Sequence, residues 1–252
     1  MARSLGRYNH GLTGNNPKAG EPMCGRYSVY KSMDHYLREL GAHQLVIDYV
    51  PPEPVNRYNV APTTKCPVIR ASAEGIHLEA VKWGWSPFWA KGKRPAPINA
   101  RIETVATGKF FKQLWPQGRV LVPADNWFEW VKDSDDPKKK QPYCIRLKTQ
   151  APMFFAGLAQ VHPGLEPHDE DGFVIITDAS DAGMVDIHDR RPVVLNPEAA
   201  RAWLEPGLEV ETALEVIQQQ SRPVADFEWY AVGKAVGNVK NQGPELIDPL
   251  ST

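Results

Sequence analysis

Twenty-three prolines are spread through a chain of 252 residues. Each fixes φ near −65° and removes a backbone donor, so long helices and wide unbroken sheets do not survive that density. A helical bundle is excluded, and many short elements joined by turns remain. Apolar or alternating runs at 66–70, 76–83, 119–123, 126–131, 143–147, 153–160 and 173–177 predict strands. The charged stretch KDSDDPKKKQP, 132–142, reads as the turn of a hairpin, and proline-rich 51–63 as a loop. Helices are predicted over 32–41, between a Ser32 cap and a Gly41 stop, over 102–115, from Asn196-Pro197 to Leu204, and over 208–220. No repeat or interdomain linker is visible. The expected fold is α+β: a single domain with a strongly bent, barrel-like mixed β-sheet flanked by short helices.

Composition narrows the function classes. Hydrophobic residues are 42 % and charged residues 23 % of the chain, as in ordinary globular proteins. No apolar run of about 18 residues exists, so a spanning helix is not expected. Three cysteines without a CxxC pair disfavour a disulfide framework or a zinc site and fit a cytoplasmic, reducing setting. Nothing calls for a metal, a cofactor or an oligomer, so a monomer is expected. Residues 1–22 are polar, with no secretory signal, and read as a disordered or artefactual extension. A start at Met23 is the favoured explanation, leaving 23–252 as the domain.

The net charge of −1 gives no global sign of nucleic-acid binding. Locally the picture differs. Between Lys82 and Arg119 stand eight basic residues and one acid, Glu103, interleaved with Trp83, Trp85, Phe88, Trp89 and Phe110. Such a stretch suits a single strand, with charges on phosphates and rings on bases. It equally suits a solvated basic face beside core tryptophans.

Four positions carry possible chemistry. Cys24 follows Met23 directly. If it becomes the N-terminal residue, it bears an amine and a thiol on adjacent carbons. The amine, with a reference pKa of about 7.7–8, attacks aldehydes, and the thiol closes the imine to a thiazolidine. A buried structural cysteine is the alternative. Glu129, among Trp127, Phe128 and Trp130, is expected to be desolvated and raised toward neutral pKa, as a general acid/base requires, or else paired with an arginine. His188, between Asp186 and Asp189, is a proton donor or a loop histidine. Asn99, before Arg101, is a turn residue or a ligand for a substrate oxygen, with Arg101 on a phosphate. The other six histidines have no constellation around them.

Seven blocks now stand in order: Met23-Cys24-Gly25-Arg26-Tyr27; Arg57-Tyr58-Asn59-Val60-Ala61-Pro62; Trp83-Gly84-Trp85; Asn99-Ala100-Arg101-Ile102-Glu103-Thr104; Val122 to Trp130; Asp186-Ile187-His188-Asp189-Arg190-Arg191-Pro192; and Ala235 to Asn241. Together they resemble the SOS response-associated peptidase (SRAP) family, and most closely its bacterial abasic-site processing members, over residues 23 to 249. The resemblance implies a sensor and shield that meets abasic sites in single-stranded DNA during the DNA damage (SOS) response. It implies that the mature N-terminal cysteine forms a covalent thiazolidine DNA–protein crosslink with the sugar aldehyde. It implies Cys24 as nucleophile, Asn99 as ligand of the sugar oxygen or ring, Glu129 as proton shuttle, and His188 as the group aiding ring opening and release. Arg26, Arg101 and Arg190 become phosphate ligands, Trp89 a stacking or wedge residue, and Pro62 and Thr177 parts of the DNA channel. Autoproteolytic maturation and an AP-lyase side activity belong to the same expectation, as does a cytoplasmic location, nucleoid-associated on DNA. The competing readings are an N-terminal-nucleophile cysteine peptidase and a non-catalytic single-strand-binding module.

Overall fold

A computed structural model describes residues 24–133, 136, 139–162 and 168–250. The expected extension over 1–22 and most of the turn in 132–142 lie outside these residues. Thirteen strands and three α-helices follow one another as β1 (Tyr27–Val29), α1 (Met33–Leu40), β2 (Arg57–Val60), β3 (Lys65–Ala71), β4 (Ile76–Lys82) and β5 (Asn99–Arg101). Then come β6 (Arg119–Ala124), β7 (Asn126–Lys132), β8 (Lys140–Leu147), β9 (Met153–Gln160), β10 (Gly172–Ala179), β11 (Arg190–Pro192) and β12 (Val194–Leu195). The chain continues with α2 (Pro197–Leu204), α3 (Val210–Gln219) and β13 (Phe227–Ala231).

The expected α+β class holds. The strands divide into two sheets, and no barrel closes among the described residues. One sheet runs β13-β8-β7-β1-β2 and is antiparallel throughout. The other runs β11-β10-β9-β6-β3-β4, with β12 also on β9 and β5 parallel to β10. The chain passes from the second sheet to the first at Asp125, between β6 and β7. Its buried carboxylate accepts from the Tyr36 hydroxyl at 2.5 Å and the Tyr30 N–H at 2.8 Å, which fixes the crossing.

Local rules account for the helices. The Ser32 side chain accepts from the His35 N–H, and Gly41 closes α1 at φ 70°, as expected. Asn196 caps α2, with Pro197 at its first turn. The helix predicted over 102–115 does not form. That stretch is a chain of separate turns, with Gly108 N–H on Thr104 O and Phe111 N–H on Gly108 O. Gly108 and the β-branched Thr104, Val105 and Thr107 weaken a helix there. Phe110 and Phe111 are instead drawn onto Trp85. The proline-rich segment 51–63 is not all loop either. Arg57–Val60, free of proline, pairs with β1 as an edge strand.

Trp83 and Trp85 are both buried, so the core alternative holds for these two rings. The glycine between them is what allows it. Gly84 sits at φ 119°, and its carbonyl lies where a Cβ on Gly172 would come within 2.4 Å. Arg119, counted with the basic stretch, is also internal. Its guanidinium donates to the carbonyls of Trp203 and Glu205 at 2.9 and 2.8 Å, holding the end of α2.

Candidate active site

The register of β1 against β7 brings the first described residues to the centre of the molecule. Tyr27 faces Trp127 and Ser28 faces Asn126, and Phe128 N–H donates to Arg26 O at 3.0 Å. Carried backward, that register sets Gly25 opposite Glu129, with Cys24 next along the chain. The Cys24 N–H donates to Glu129 Oε1 at 3.0 Å, with both residues buried. Cys24 adopts φ 43°, a left-handed conformation rare for a side-chain-bearing residue.

Burial, reinforced by the charge of Asp189, pushes the Glu129 carboxyl up to about 8, against the lowering effect of the Cys24 N–H. Burial, with Glu129 next to it, also pushes the Cys24 thiol well above its ordinary range. The pair therefore holds a neutral thiol against a carboxyl that exchanges protons near neutral pH.

A cavity of about 300 Å³ opens at Glu129, lined by Gly25, Arg26, Glu129, Trp130, Lys140, His188 and Gly237, with Cys24 fully buried and outside this lining. His188 follows the helical turn Ala182–Asp186, where its own N–H donates to Met184 O. The Arg190 N–H donates to its Nδ1 at 3.1 Å, while Asp189 Oδ1 stands 3.0 Å from the same nitrogen. The neutral ring accepts from Arg190, and the charged ring donates to Asp189. Its orientation is fixed in either state. Glu129, which holds the Cys24 nitrogen, and His188 thus line one cavity. Asn99 opens β5 opposite Ile175 of β10 and is not among the residues that line this cavity.

The basic and aromatic candidates separate by exposure. Arg101 is exposed, and Trp89 is 46 % exposed beside Phe88 at 82 %. Lys109 Nζ lies 5.4 Å over the Trp89 ring. Pro62 is half-buried just past β2. Thr177 is fully buried in β10, opposite Arg101 and Pro192. Arg190 is buried. It pairs with Glu103 through both terminal nitrogens, and Nη2 also donates to Thr177 O at 2.6 Å. Arg26 donates to Asn59 Oδ1 and Val236 O, each at 2.9 Å, and its guanidinium lies 5.8 Å over the Trp130 ring. Two of the three arginines read as phosphate ligands therefore spend their guanidinium groups on the protein.

Asn59 has a place that its sequence block did not reveal. It is fully buried, and its amide nitrogen donates to the carbonyls of Val236, Asn238 and Asn241. The Gln242 side chain exchanges two hydrogen bonds with the Asn59 backbone, at 3.2 and 2.9 Å, and so covers the edge of β2 as a strand would. These contacts seat the wall at Gly237 and hold Arg26. An asparagine in a proline-flanked strand and an asparagine-rich stretch near the end are the only signals in the sequence. Asn59→Ala is expected to cost about 2–3 kcal/mol, because the buried Val236 carbonyl, the part-buried carbonyls of Asn238 and Asn241, and Arg26 lose a partner. Thermal unfolding of wild type and variant measures it, and equal melting temperatures would contradict this account.

Comparison with known proteins agrees with the geometry. The chain is 45 % identical over 230 residues to the abasic site processing protein YedK of Escherichia coli, covering 90 % of this chain and all of that one. It is 33 % identical to the abasic site processing protein YoqW of Bacillus subtilis, over 90 % of this chain and 99 % of that one. A phage-related protein of Bordetella bronchiseptica of solved structure superposes with a TM-score of 0.70 at 36 % identity, covering 83 % of this chain and 94 % of that one. The family model described as SOS response associated peptidase (SRAP) matches residues 23–239, a span that holds the buried cysteine–glutamate pair, the histidine and every strand of both sheets. By that match and these identities, the chain belongs to the SRAP family.

Proposed function

We propose that the chain processes abasic sites in DNA, and that it does so by covalent capture on Cys24. The observation that carries this reading is the Cys24 nitrogen held 3.0 Å from a buried carboxyl that titrates at about 8. Once Cys24 is N-terminal, its nitrogen is an amine at the same place. It attacks the aldehyde of the ring-opened sugar. The carbon–nitrogen bond forms and one water leaves, giving an imine. The thiol then adds across the imine, sulfur to carbon and hydrogen to nitrogen, and closes a thiazolidine. Glu129 takes the proton from the attacking amine and returns it to the departing hydroxyl. It then handles the proton of a thiol too reluctant to ionise alone. His188, across the cavity, is suited to opening the sugar ring and to protonating it on release. Asn99, which stands outside the lining of the cavity, is assigned to the sugar oxygen by its motif alone.

Single-stranded DNA is the substrate that fits. A site without a base needs no unstacking to enter a cavity of this size. Exposed Arg101, Lys91, Lys93 and Arg94 meet phosphates, and Trp89 stacks at the lesion. Arg26 serves by holding Gly237 and Arg190 by holding the His188 segment against Thr177, while Pro62 and Thr177 are assigned to the DNA channel by their motifs alone. The crosslink shields the lesion in the DNA damage (SOS) response, with the chain acting as a cytoplasmic monomer on DNA. β-Elimination from the imine is a side reaction of the same step. No helix among the described residues is long and apolar enough to cross a membrane.

The decisive experiment is an intact mass of the chain beginning at Cys24, before and after mixing with an abasic single-stranded oligonucleotide. The expected product weighs the sum of the two less one water. A protein mass that does not change would overturn the reading, and a transient acyl adduct with a peptide would favour a peptidase. Arg101→Ala is expected to weaken binding to intact single strands by roughly 1–3 kcal/mol and to lower the salt dependence by about one phosphate contact. Fluorescence anisotropy across a salt series tests this, and an unaltered slope removes Arg101 from the DNA surface.

A further inference from the structure

Away from the cavity, the connection between β9 and β10 gathers two histidines and a carboxylate. One ring nitrogen each of His162 and His168 and one carboxylate oxygen of Glu170 lie within 4.8 Å of one another. The two rings stand 3.8 Å apart, centre to centre, tilted by 32°. We propose that this is a binding site for a divalent transition-metal cation, with His162, His168 and Glu170 as its ligands.

The surroundings of the three groups argue for more than a chance cluster. Asp171 Oδ1 stands 2.7 Å from His162 Nδ1 and also accepts the His162 backbone N–H at 3.0 Å. A carboxylate behind an imidazole sets its tautomer and strengthens it as a donor through Nε2, the usual outer support of a metal-bound histidine. His168 Nδ1 accepts the Glu170 N–H at 3.3 Å, which in the neutral ring leaves the proton on Nε2, so ligation through Nε2 exchanges this long contact for a proton on Nδ1. The Gln160 amide donates to Glu170 Oε2 at 3.3 Å, and its oxygen accepts from Trp85 Nε1 at 3.2 Å. Two of the three ligands, His162 and Glu170, thus have an outer partner already in place.

Ligand atoms about 2.0–2.1 Å from a tetrahedral zinc are roughly 3.4 Å apart, so side-chain rotation alone closes the set. Two imidazoles and one carboxylate are a borderline donor set that favours zinc and its neighbours over magnesium. The fourth position is left to water. The ion ties the β9–β10 connection, through Gln160 and Trp85, to the segment that carries Trp89. Lys91 Nζ reaches the same connection at Asp169 O, 3.3 Å away. The sequence alone gave no hint of this, since neither histidine has metal-ligand spacing. The proposal does not depend on the covalent chemistry above.

The test is calorimetric titration of zinc into the full chain and into His162→Ala, His168→Gln and Asp171→Asn. One zinc per chain is expected. Each histidine variant should lose at least about tenfold in affinity and Asp171→Asn about tenfold, with excess magnesium unable to compete. No zinc binding by the wild type, or equal binding by all variants, would overturn the site. If a variant fails to fold, the wild type itself answers through its histidine ring proton resonances. Zinc should move two of the seven, and resonances that do not move overturn the proposal just as well.

Discussion

Cys24→Ser is expected to leave no stable crosslink on a denaturing gel or in an intact mass, under conditions where the wild type is fully converted. The amine is untouched by this change, so an imine still forms. What is lost is the sulfur that traps it, since a hydroxyl closes a five-membered ring that water reopens. The substitution is nearly isosteric at a buried position, and the contact to Glu129 is made by the backbone nitrogen. The fold is therefore expected to persist. The variant should also show more strand cleavage than the wild type, because the untrapped imine remains free to eliminate. A durable adduct from Cys24→Ser would sink the thiazolidine assignment, and a loss of secondary structure by circular dichroism would count against the claim that the sulfur acts chemically.

Glu129→Gln should slow capture by about 10²–10⁴-fold, the usual contribution of a positioned acid/base. It should also remove the bend near pH 8 from the rate profile, which the carboxyl imposes by titrating at about 8. The same shift has a sign for stability. Unfolded, this carboxyl titrates near 4.5, and folded near 8, so the folded state holds its proton more tightly. Its stabilising contribution is complete below pH 4.5 and is lost as pH rises through 8. At about 1.36 kcal/mol per tenfold, the full difference is on the order of 5 kcal/mol. Wild-type melting temperature should therefore fall more steeply between pH 5 and 9 than that of Glu129→Gln. Parallel curves for the two proteins would place the ionisable group elsewhere.

The elements legible in the sequence were those set by local rules. The β9 run, the α2 cap and its following proline, and the Ser32 and Gly41 boundaries of α1 are all read from neighbours within four residues. Strands β1, β2, β5 and β11 are three or four residues long and owe their existence to partners distant in the chain. No periodicity announces them. The turns over 102–115 have helical apolar spacing, but tertiary packing of Phe110 and Phe111 onto Trp85 overrides it. In the site, Glu129 was legible because three aromatic neighbours foretell desolvation. Arg190 was not, because its partner Glu103 sits 87 residues away. Cys24 and His188 stood out for their chemistry, while Asn59 acts through carbonyls that carry no sequence signature.

Three long-range contacts bear on when the cavity is completed. Arg26 reaches Val236 across 210 positions, and Asn59 reaches Asn238 and Asn241 across almost as many. During synthesis the segment around Cys24 and Arg26 leaves the ribosome well before residues 236–241, which complete the cavity wall. A nascent chain thus exposes Cys24 long before it can present a shaped pocket to a sugar. Under the proposed capture, reaction at Cys24 is in this way tied to the arrival of the segment 236–241, without which the cavity lacks its wall at Gly237.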